Sequence, residues 1–457
     1  MPFKYVLEVP HDYRKDLAIA WFWLAVLTLL GSGIFSVLLV LARTPVIGEL
    51  IPFVDFFHTA LVIHVNLSSL VWILSFASVL WSLNSRILYP QLARLSFIVV
   101  LIGTVIITIS PFLGSTNALM SNYIPVLDDS KFMIGLGIFG LGIGMQVVFS
   151  MRAMFKVGET ISGQAVIRFG LNCAAIGVFV SLAAFIWSYL TVPTQLANEI
   201  YYELLFWSGG HVLQFTYTLL MMVAWLWLSS CAGLSLPLSP RVALFLFAVG
   251  LISIFMTPLV YYAYNVTDVL HRQMFTMLMS FGGSLAVFPL SMAILLSLFQ
   301  IKPESPIQSS AHTALFTSLF LFGVGGMMGF MIDGNNVKIP AHYHGCIVGV
   351  SLALMGLSYQ LLAALGFNKV NFKLSKIQLW IYAAGQFLHI VGLVWSGGYG
   401  VQRKVAGAEQ GLDSIERIAG MGIMGLGGLL SAVGGFLFIV IVLKAMMSKA
   451  DAHTQIA

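Results

Sequence analysis

The sequence predicts an all-α, polytopic membrane protein with about twelve transmembrane helices. Of its 457 residues, 59% are hydrophobic and only 9% are charged, and the mean hydropathy is +0.96. A water-soluble domain carries roughly 25% charged residues, because its surface must be hydrated. A chain this poor in charge therefore has lipid as its main solvent, and no long soluble domain is left over.

Apolar runs of about 20 residues, long enough to span the hydrocarbon core, follow one another along nearly the whole chain. They are separated by Pro, Gly and charged residues. We expect one membrane-embedded domain over residues 1–457. The apolar sequence from 241 to 299 could also be divided differently between the seventh and eighth spans. The predicted helices lie near 17–43, 54–84, 92–114, 131–155, 166–194, 201–231, 241–265, 270–299, 308–332, 339–366, 374–400 and 418–446.

The loops predict the orientation. Twelve spans place both termini on one side, and that side receives 15 of the 22 Lys and Arg residues. Because Lys and Arg favour cytoplasmic loops, both termini should be cytoplasmic, in a bacterial or archaeal plasma membrane. The segment from Met1 to Asp16 is polar and lacks the apolar core of a signal peptide, so we expect the first helix to be retained.

Composition also argues against other classes of protein. The net charge of +5 suggests no nucleic-acid partner, because topology explains the basic loop residues. The three cysteines, Cys173, Cys231 and Cys346, lie in separate apolar segments without paired spacing. They indicate neither a disulfide framework nor a zinc site, and small buried hydrophobic residues are the simpler interpretation.

Four histidines are predicted to share one depth near the outer surface. His64 lies about ten residues, or roughly 15 Å, inside the outer end of the second helix. His211 lies at nearly the same depth in the sixth helix, and His342 and His344 lie close below the outer end of the tenth. Imidazole inside a membrane is costly and usually marks an ion path, a proton relay or a cofactor.

A hydrogen bond to a neighbouring helix explains a single buried histidine equally simply. That is the preferred interpretation for His58 and His312, and for His389 it stands level with a functional role. It does not explain four histidines at one depth.

The spacing of His342 and His344 adds geometry. Residues two apart on a helix point about 200° apart, so one helix can present an imidazole to each of two flanking haems. His64 could complete a six-coordinate haem with one of the pair. The other haem would stay five-coordinate, with an open face for a gas.

At these residues the sequence resembles the catalytic subunit of the haem–copper oxidase superfamily, which includes nitric oxide reductases. The segment from Ile339 to Gly345 is similar to the family's helix 10, and the segment from Phe206 to His211 is similar to its helix 6. The resemblance implies two haems. His342 would bind the high-spin haem, His344 and His64 the low-spin haem, and His211 a distal metal.

A basic pair, Arg403 and Lys404, lies between the eleventh and twelfth helices on the predicted outer side. It resembles the family's pair that meets haem propionates. An ordinary loop charge pair is the alternative.

The sequence departs from the family where the distal metal should be completed. The family has adjacent histidines in helix 7, but Tyr261 and Tyr262 stand there, followed by Asp268 and His271. His211, Asp268 and His271 might together hold a metal, and a carboxylate ligand would suit iron better than copper. Alternatively, Asp268 and His271 cap a loop and a helix start.

A second departure concerns the active-site phenol. Oxygen reductases of the main types carry Tyr four residues after the helix 6 histidine, whereas this chain has Phe215. Tyr261, Tyr262 or Tyr264 could supply a phenol instead, although aromatic residues are common at membrane interfaces. Glu203, two turns before His211, could deliver protons from the outer side or mark the helix end.

We therefore expect a respiratory haem-containing gas reductase. Reduction of NO to N2O needs no redox-active phenol, so Phe215 slightly favours NO as the substrate. Reduction of O2, the reaction of a cytochrome c oxidase, is the alternative. A non-catalytic haem electron-transfer or sensor protein, and a transporter with a histidine proton relay, remain alternatives. Because the chain lacks a soluble cupredoxin or cytochrome c domain, the resemblance implies a small membrane-anchored partner subunit of that type through which electrons arrive.

Overall fold

The computed structural model describes residues 3–47, 56–155, 157 and 161–448. Within those residues, twelve helices are long and apolar enough to cross a membrane. They confirm the predicted helices to within a few residues, except that the predicted start of the second, at 54, lies outside the described residues. The helices are α1 Tyr13–Arg43, α2 Phe57–Leu83, α3 Pro90–Leu113, α4 Ser130–Arg152, α5 Gly163–Thr191, α6 Asn198–Cys231, α7 Pro240–Ala263, α8 Val269–Gln300, α9 Pro306–Gly329, α10 Lys338–Ala364, α11 Phe372–Gly398 and α12 Ile415–Met447.

Serine N-caps fix where several helices begin. The hydroxyls of Ser162, Ser239, Ser305 and Ser414 each accept a hydrogen bond from the backbone N–H three residues further on. This satisfies one of the four N–H groups that the first turn leaves unpaired. In α7 and α9 a proline follows the cap, where its missing N–H costs nothing.

Two helices contain a π-helical segment. In α2 it covers Asn66–Val71, directly after the turn that carries His64, and in α8 it covers Leu278–Gly282. Such segments are often associated with functional sites. The seventh and eighth helices are separate, as predicted, because α7 ends at Ala263 and α8 begins at Val269.

A small hairpin lies in the connection between α3 and α4. Strand β1, Ala118–Leu119, pairs antiparallel with β2, Val126–Leu127, in the register Ala118 to Leu127. The residues between the strands form the tip of this hairpin. This connection carries a side chain that reaches the functional site.

By its contacts the chain divides into two compact units. The first comprises Met1–Ala25, Leu70–Ser230 and Leu234–Ile301. In it, α3 and α4 approach closely at Gly103, where an added Cβ would meet the backbone of Phe139. The prediction of one domain over the whole chain stays a prediction.

The second unit comprises Val26–Ser69, Cys231–Gly233 and Lys302–Ala457. Its helices α9 and α10 meet at Gly325 and Gly345, where a Cβ on either glycine would strike the backbone of the other helix. Interhelical contacts through small residues are common in membranes, where dispersion replaces the hydrophobic effect.

Gly325→Ala should lower the stability of the protein by about 1–3 kcal/mol, because the extra methyl group overpacks a backbone contact. Thermal unfolding of the full chain in detergent measures the effect. Gly326→Ala is the matched control, since a Cβ at Gly326 meets nothing within 4 Å. Equal unfolding temperatures for the two variants would contradict the close approach of α9 and α10.

Candidate functional site

The two histidines of α10 turn toward different neighbouring helices in the second unit. Nδ1 of His342 lies 2.7 Å from the carbonyl oxygen of Gly325 in α9. Nδ1 of His344 lies 3.1 Å from Oε1 of Gln386 in α11. The two imidazoles of α10 therefore diverge toward two different helices.

His64 of α2 is held in the same manner. Its Nδ1 lies 3.0 Å from the carbonyl oxygen of Ser32, which only a protonated Nδ1 can approach favourably. His64, His342 and His344 thus all donate from Nδ1. Their Nε2 atoms form no hydrogen bond with the described part of the chain. An imidazole anchored through one nitrogen, with the other available, is the usual state of a metal-ligating histidine.

His389 of α11 belongs to the same cluster. Its ring centroid lies 4.5 Å from that of His344, and its Nδ1 lies 2.9 Å from the carbonyl oxygen of Met424. The interhelical hydrogen bond to α12 agrees with the structural interpretation of His389, although its Nε2 also lacks a described partner.

This donor set fits haem. Axial ligation requires neutral imidazoles on separate helices with free Nε2 atoms, and His64 and His344 meet that requirement. His342, whose Nδ1 contacts α9 and not α11, supplies a third such nitrogen.

Arg403 and Lys404, which are predicted to contact haem propionates, make polar contacts with other parts of the chain. Arg403 donates from Nε to the side-chain oxygen of Asn335. Lys404 adopts a left-handed backbone with φ of 65°, and its carbonyl accepts a 2.9 Å hydrogen bond from Nε2 of His58. His58 thus ties α2 to this loop, in agreement with its interpretation as a hydrogen-bonding residue. The role of Arg403 and Lys404 at propionates stays a prediction.

In the first unit, both ring nitrogens of His211 have protein partners. Nδ1 lies 2.8 Å from the carbonyl oxygen of Trp207, and Nε2 lies 2.9 Å from the hydroxyl of Tyr123. Tyr123 comes from the tip of the β1–β2 hairpin. Its ring packs where a Cβ on Gly210 would be, so glycine at that position makes the contact possible. Sequence reasoning missed Tyr123; the only signal was the Gly209-Gly210 pair before His211.

Glu203 holds the same hairpin. Its carboxylate accepts hydrogen bonds from the backbone N–H and the side-chain amide of Asn122, the neighbour of Tyr123. At the hairpin's base, the hydroxyl of Ser115 donates to Asp129 at 2.6 Å. This bond, followed by the backbone N–H of Lys131, lowers the pKa of Asp129. The predicted proton delivery by Glu203 stays a prediction.

His271 and Tyr261 form a second polar group in this unit. Nε2 of His271 lies 2.8 Å from the hydroxyl of Ser208, and the phenol of Tyr261 lies 2.7 Å from the hydroxyl of Ser188. The rings of His271 and Tyr261 meet edge to face, with centroids 4.9 Å apart.

Tyr262 points the other way. Consecutive helical residues point about 100° apart, so burial of Tyr261 turns Tyr262 outward, and Tyr262 is 91% exposed. It is not placed to supply a phenol to this group.

The proposed three-residue metal set does not assemble. Asp268 accepts a 3.0 Å hydrogen bond from the backbone N–H of Asn265, which agrees with its interpretation as a loop cap. The described residues contain no group of three or more His, Cys, Asp or Glu side chains that could hold a metal ion. His211, Asp268 and His271 therefore do not fit a distal metal in this arrangement.

Comparison with known proteins agrees with this fold. Residues 16–437 match the family described as cytochrome c and quinol oxidase polypeptide I. An uncharacterized protein of Rickettsia prowazekii (strain Madrid E) is 30% identical, with 95% of this chain and 97% of that protein covered. An uncharacterized protein of Aquifex aeolicus (strain VF5) is 28% identical, with 79% and 88% covered.

A cryo-EM structure of a haem–copper terminal oxidase dimer has the same fold. It superposes with a TM-score of 0.76 at 18% sequence identity, with 96% of this chain and 85% of that chain covered. The family match over residues 16–437, together with this fold, defines the class as multi-pass membrane oxidoreductases of the haem–copper oxidase type. The chain belongs to the cytochrome c and quinol oxidase polypeptide I family.

Glu203→Gln should loosen the hairpin that carries Tyr123, because a hydrogen bond to a charged group contributes about 1.5–3 kcal/mol. Hydrogen exchange in the peptide spanning Asn122 should accelerate by about tenfold or more. Glu199→Gln is the control, since Glu199 is exposed one turn earlier in α6 and makes no hydrogen bond with the described residues. The same exchange rate in both variants would show that Glu203 does not hold the hairpin.

Proposed function

We propose that the chain is the haem-binding subunit of a respiratory gas reductase, with NO preferred as substrate. One observation carries the proposal. His64, His342 and His344 each donate from Nδ1 to a fixed acceptor and keep Nε2 available. Bound haem iron would supply one-electron transfer and, where one axial position is open, a binding site for a gas.

The residues have separate tasks. His64 and His344 would hold the low-spin haem, and His342 would hold the high-spin haem on the other side of α10. The acceptors on Ser32, Gly325 and Gln386 fix the imidazole planes and raise the basicity of Nε2. Arg403 and Lys404 would meet propionates at the outer side, where electrons arrive from a membrane-anchored subunit of cupredoxin or cytochrome c type.

The choice of substrate depends on the phenol. Phe215 stands where the main oxygen reductases have tyrosine, which favours NO. Tyr123 favours O2 as the second substrate, because its hydroxyl contacts His211 at 2.9 Å and brings a phenol to that histidine from outside α6. The rates of NO and O2 consumption, measured on one preparation of the native protein and one of Tyr123→Phe, would show which gas is the substrate.

His64→Ala should abolish the low-spin haem spectrum, because it removes one of two axial ligands, while the protein stays inserted. His342→Ala should abolish gas binding to the high-spin haem. Optical spectroscopy of purified protein, before and after exposure to NO, measures both effects. His312→Ala, outside the cluster, is the control and should retain both signals. A native haem spectrum in His64→Ala, or native gas binding in His342→Ala, would refute that ligand assignment.

A second candidate is a haem electron-transfer or sensor protein that works without a distal metal. It is favoured because both nitrogens of His211 and of His271 already have protein partners. On this alternative, the iron content equals the haem content, copper is absent, and neither NO nor O2 is consumed. Turnover of either gas would exclude it, and a colourless, haem-free preparation would refute both candidates in favour of a transporter.

A further inference from the structure

A cleft lies between α6 and the beginning of α8, within the first unit. It has a volume of about 410 Å³ and is lined by three apolar and three polar side chains, those of Trp207, Val269, Met277, Arg272, Gln273 and Thr276. Binding sites for small molecules have volumes of roughly 300–1,000 Å³ and combine apolar walls with a few polar groups. The size and the lining are therefore those of a site for an amphipathic molecule.

One backbone carbonyl ties the two helices together at the cleft. The indole N–H of Trp207 in α6 donates to the carbonyl oxygen of Arg272 in α8 at 3.2 Å, and the hydroxyl of Thr276 donates to the same oxygen at 3.1 Å. These two donors are thereby satisfied within the protein. The polar groups of the lining that remain available to a ligand are the guanidinium of Arg272 and the amide of the exposed Gln273.

The two remaining groups favour an anion. Among the residues that the structure describes, the guanidinium of Arg272 has no ion-pair partner. Asp268, one turn earlier, instead accepts a hydrogen bond from the backbone N–H of Asn265 at 3.0 Å. A guanidinium offers several N–H donors and no acceptor, and the amide of Gln273 adds an NH2 group. A phosphate group matches such donors, because it can accept two parallel hydrogen bonds from one guanidinium.

The length of α8 places these donors at the level of lipid headgroups. The helix has 32 residues. It is therefore about 48 Å long, whereas the hydrocarbon core of a bilayer is about 30 Å thick, so a centred helix extends about 9 Å beyond the core at each end. Arg272 and Gln273 lie only about 5 Å and 6 Å from the first residue of α8, within that extension. Met277, about 12 Å from the first residue, lies at the edge of the hydrocarbon.

We infer that this cleft binds the headgroup of an anionic phospholipid, with Arg272 and Gln273 as the ligands of its phosphate. Met277, Phe281 and Leu285 follow one another at four-residue spacing and are each more than half exposed, so they offer an apolar surface to the acyl chains. A free phosphate ion would satisfy the two donors but would leave the apolar walls of the cleft uncovered. The inference does not depend on haem.

The cleft adjoins the polar contacts that hold His211 and His271. The carbonyl oxygen of Trp207 lies 2.8 Å from Nδ1 of His211, and His271, the residue before Arg272, contacts the hydroxyl of Ser208 in α6 at 2.8 Å. A ligand that binds the folded chain but not the unfolded chain raises the unfolding temperature. An anionic phospholipid should therefore stabilise the protein.

The test measures lipid binding by the full-length protein after removal of lipid in detergent. Native mass spectrometry gives the affinities for phosphatidylglycerol and phosphatidylcholine, and thermal unfolding gives the stabilisation by each lipid and by inorganic phosphate. The variants are Arg272→Gln and Gln273→Leu. Lys131→Gln is the control, because it removes one positive charge from the same unit at a side chain that pairs with Asp129 at 3.3 Å, outside the cleft.

The native protein should bind one phosphatidylglycerol more tightly than phosphatidylcholine, because only the former carries a net negative charge to compensate the guanidinium. Arg272→Gln should weaken that binding about tenfold or more, since a charge-assisted hydrogen bond is lost. Gln273→Leu should weaken it about threefold, as expected for one hydrogen bond without a charge on the donor. Lys131→Gln should bind phosphatidylglycerol as the native protein does.

Native affinity for phosphatidylglycerol in Arg272→Gln, or equal affinity of the native protein for the two lipids, would overturn the inference. If Arg272→Gln does not accumulate, native affinity in Gln273→Leu would overturn it. Stabilisation by inorganic phosphate equal to that by phosphatidylglycerol would identify the ligand as a free anion and would also overturn it.

Discussion

The single constraint behind the second unit is that a buried imidazole must find partners for both nitrogens. In the apolar interior of a membrane an unsatisfied polar group is costly. His64, His342 and His344 satisfy only Nδ1 from within the protein. Each acceptor lies on a neighbouring helix. The packing of these helices therefore also orients the lone pairs of the three Nε2 atoms.

The first unit solves the same problem differently. His211 uses a backbone carbonyl and a tyrosine hydroxyl, and His271 uses a backbone carbonyl and a serine hydroxyl. Both nitrogens of each ring therefore have a hydrogen-bond partner within the protein. The chain therefore contains two kinds of helical histidine. In one kind a ring nitrogen is left for a partner from outside the chain, and in the other both nitrogens have partners within it. The absence of adjacent histidines in α7 is consistent with this difference.

The fold could be predicted from the sequence because the length of an apolar segment can be compared directly with the thickness of the hydrocarbon core. That His342 and His344 contact different helices follows from their two-residue spacing on a helix. The contact of Tyr123 with His211 could not be predicted, because Tyr123 lies in the connection between α3 and α4. Such a connection has no hydrophobic periodicity from which a side-chain direction follows. Tyr262 was misjudged because neither the phase of α7 nor its buried face was known.

The π-helical segment that follows His64 divides α2 into two halves. A wider turn inserts an additional residue into the repeat, so the side chains before and after Asn66–Val71 no longer share one angular phase. The half that bears the imidazole and the half from Trp72 to Leu83 can each face their own surroundings, and every residue of the second half is buried. The π-helical segment thus lets one helix carry a histidine in its first half and a fully buried second half, each in its own orientation.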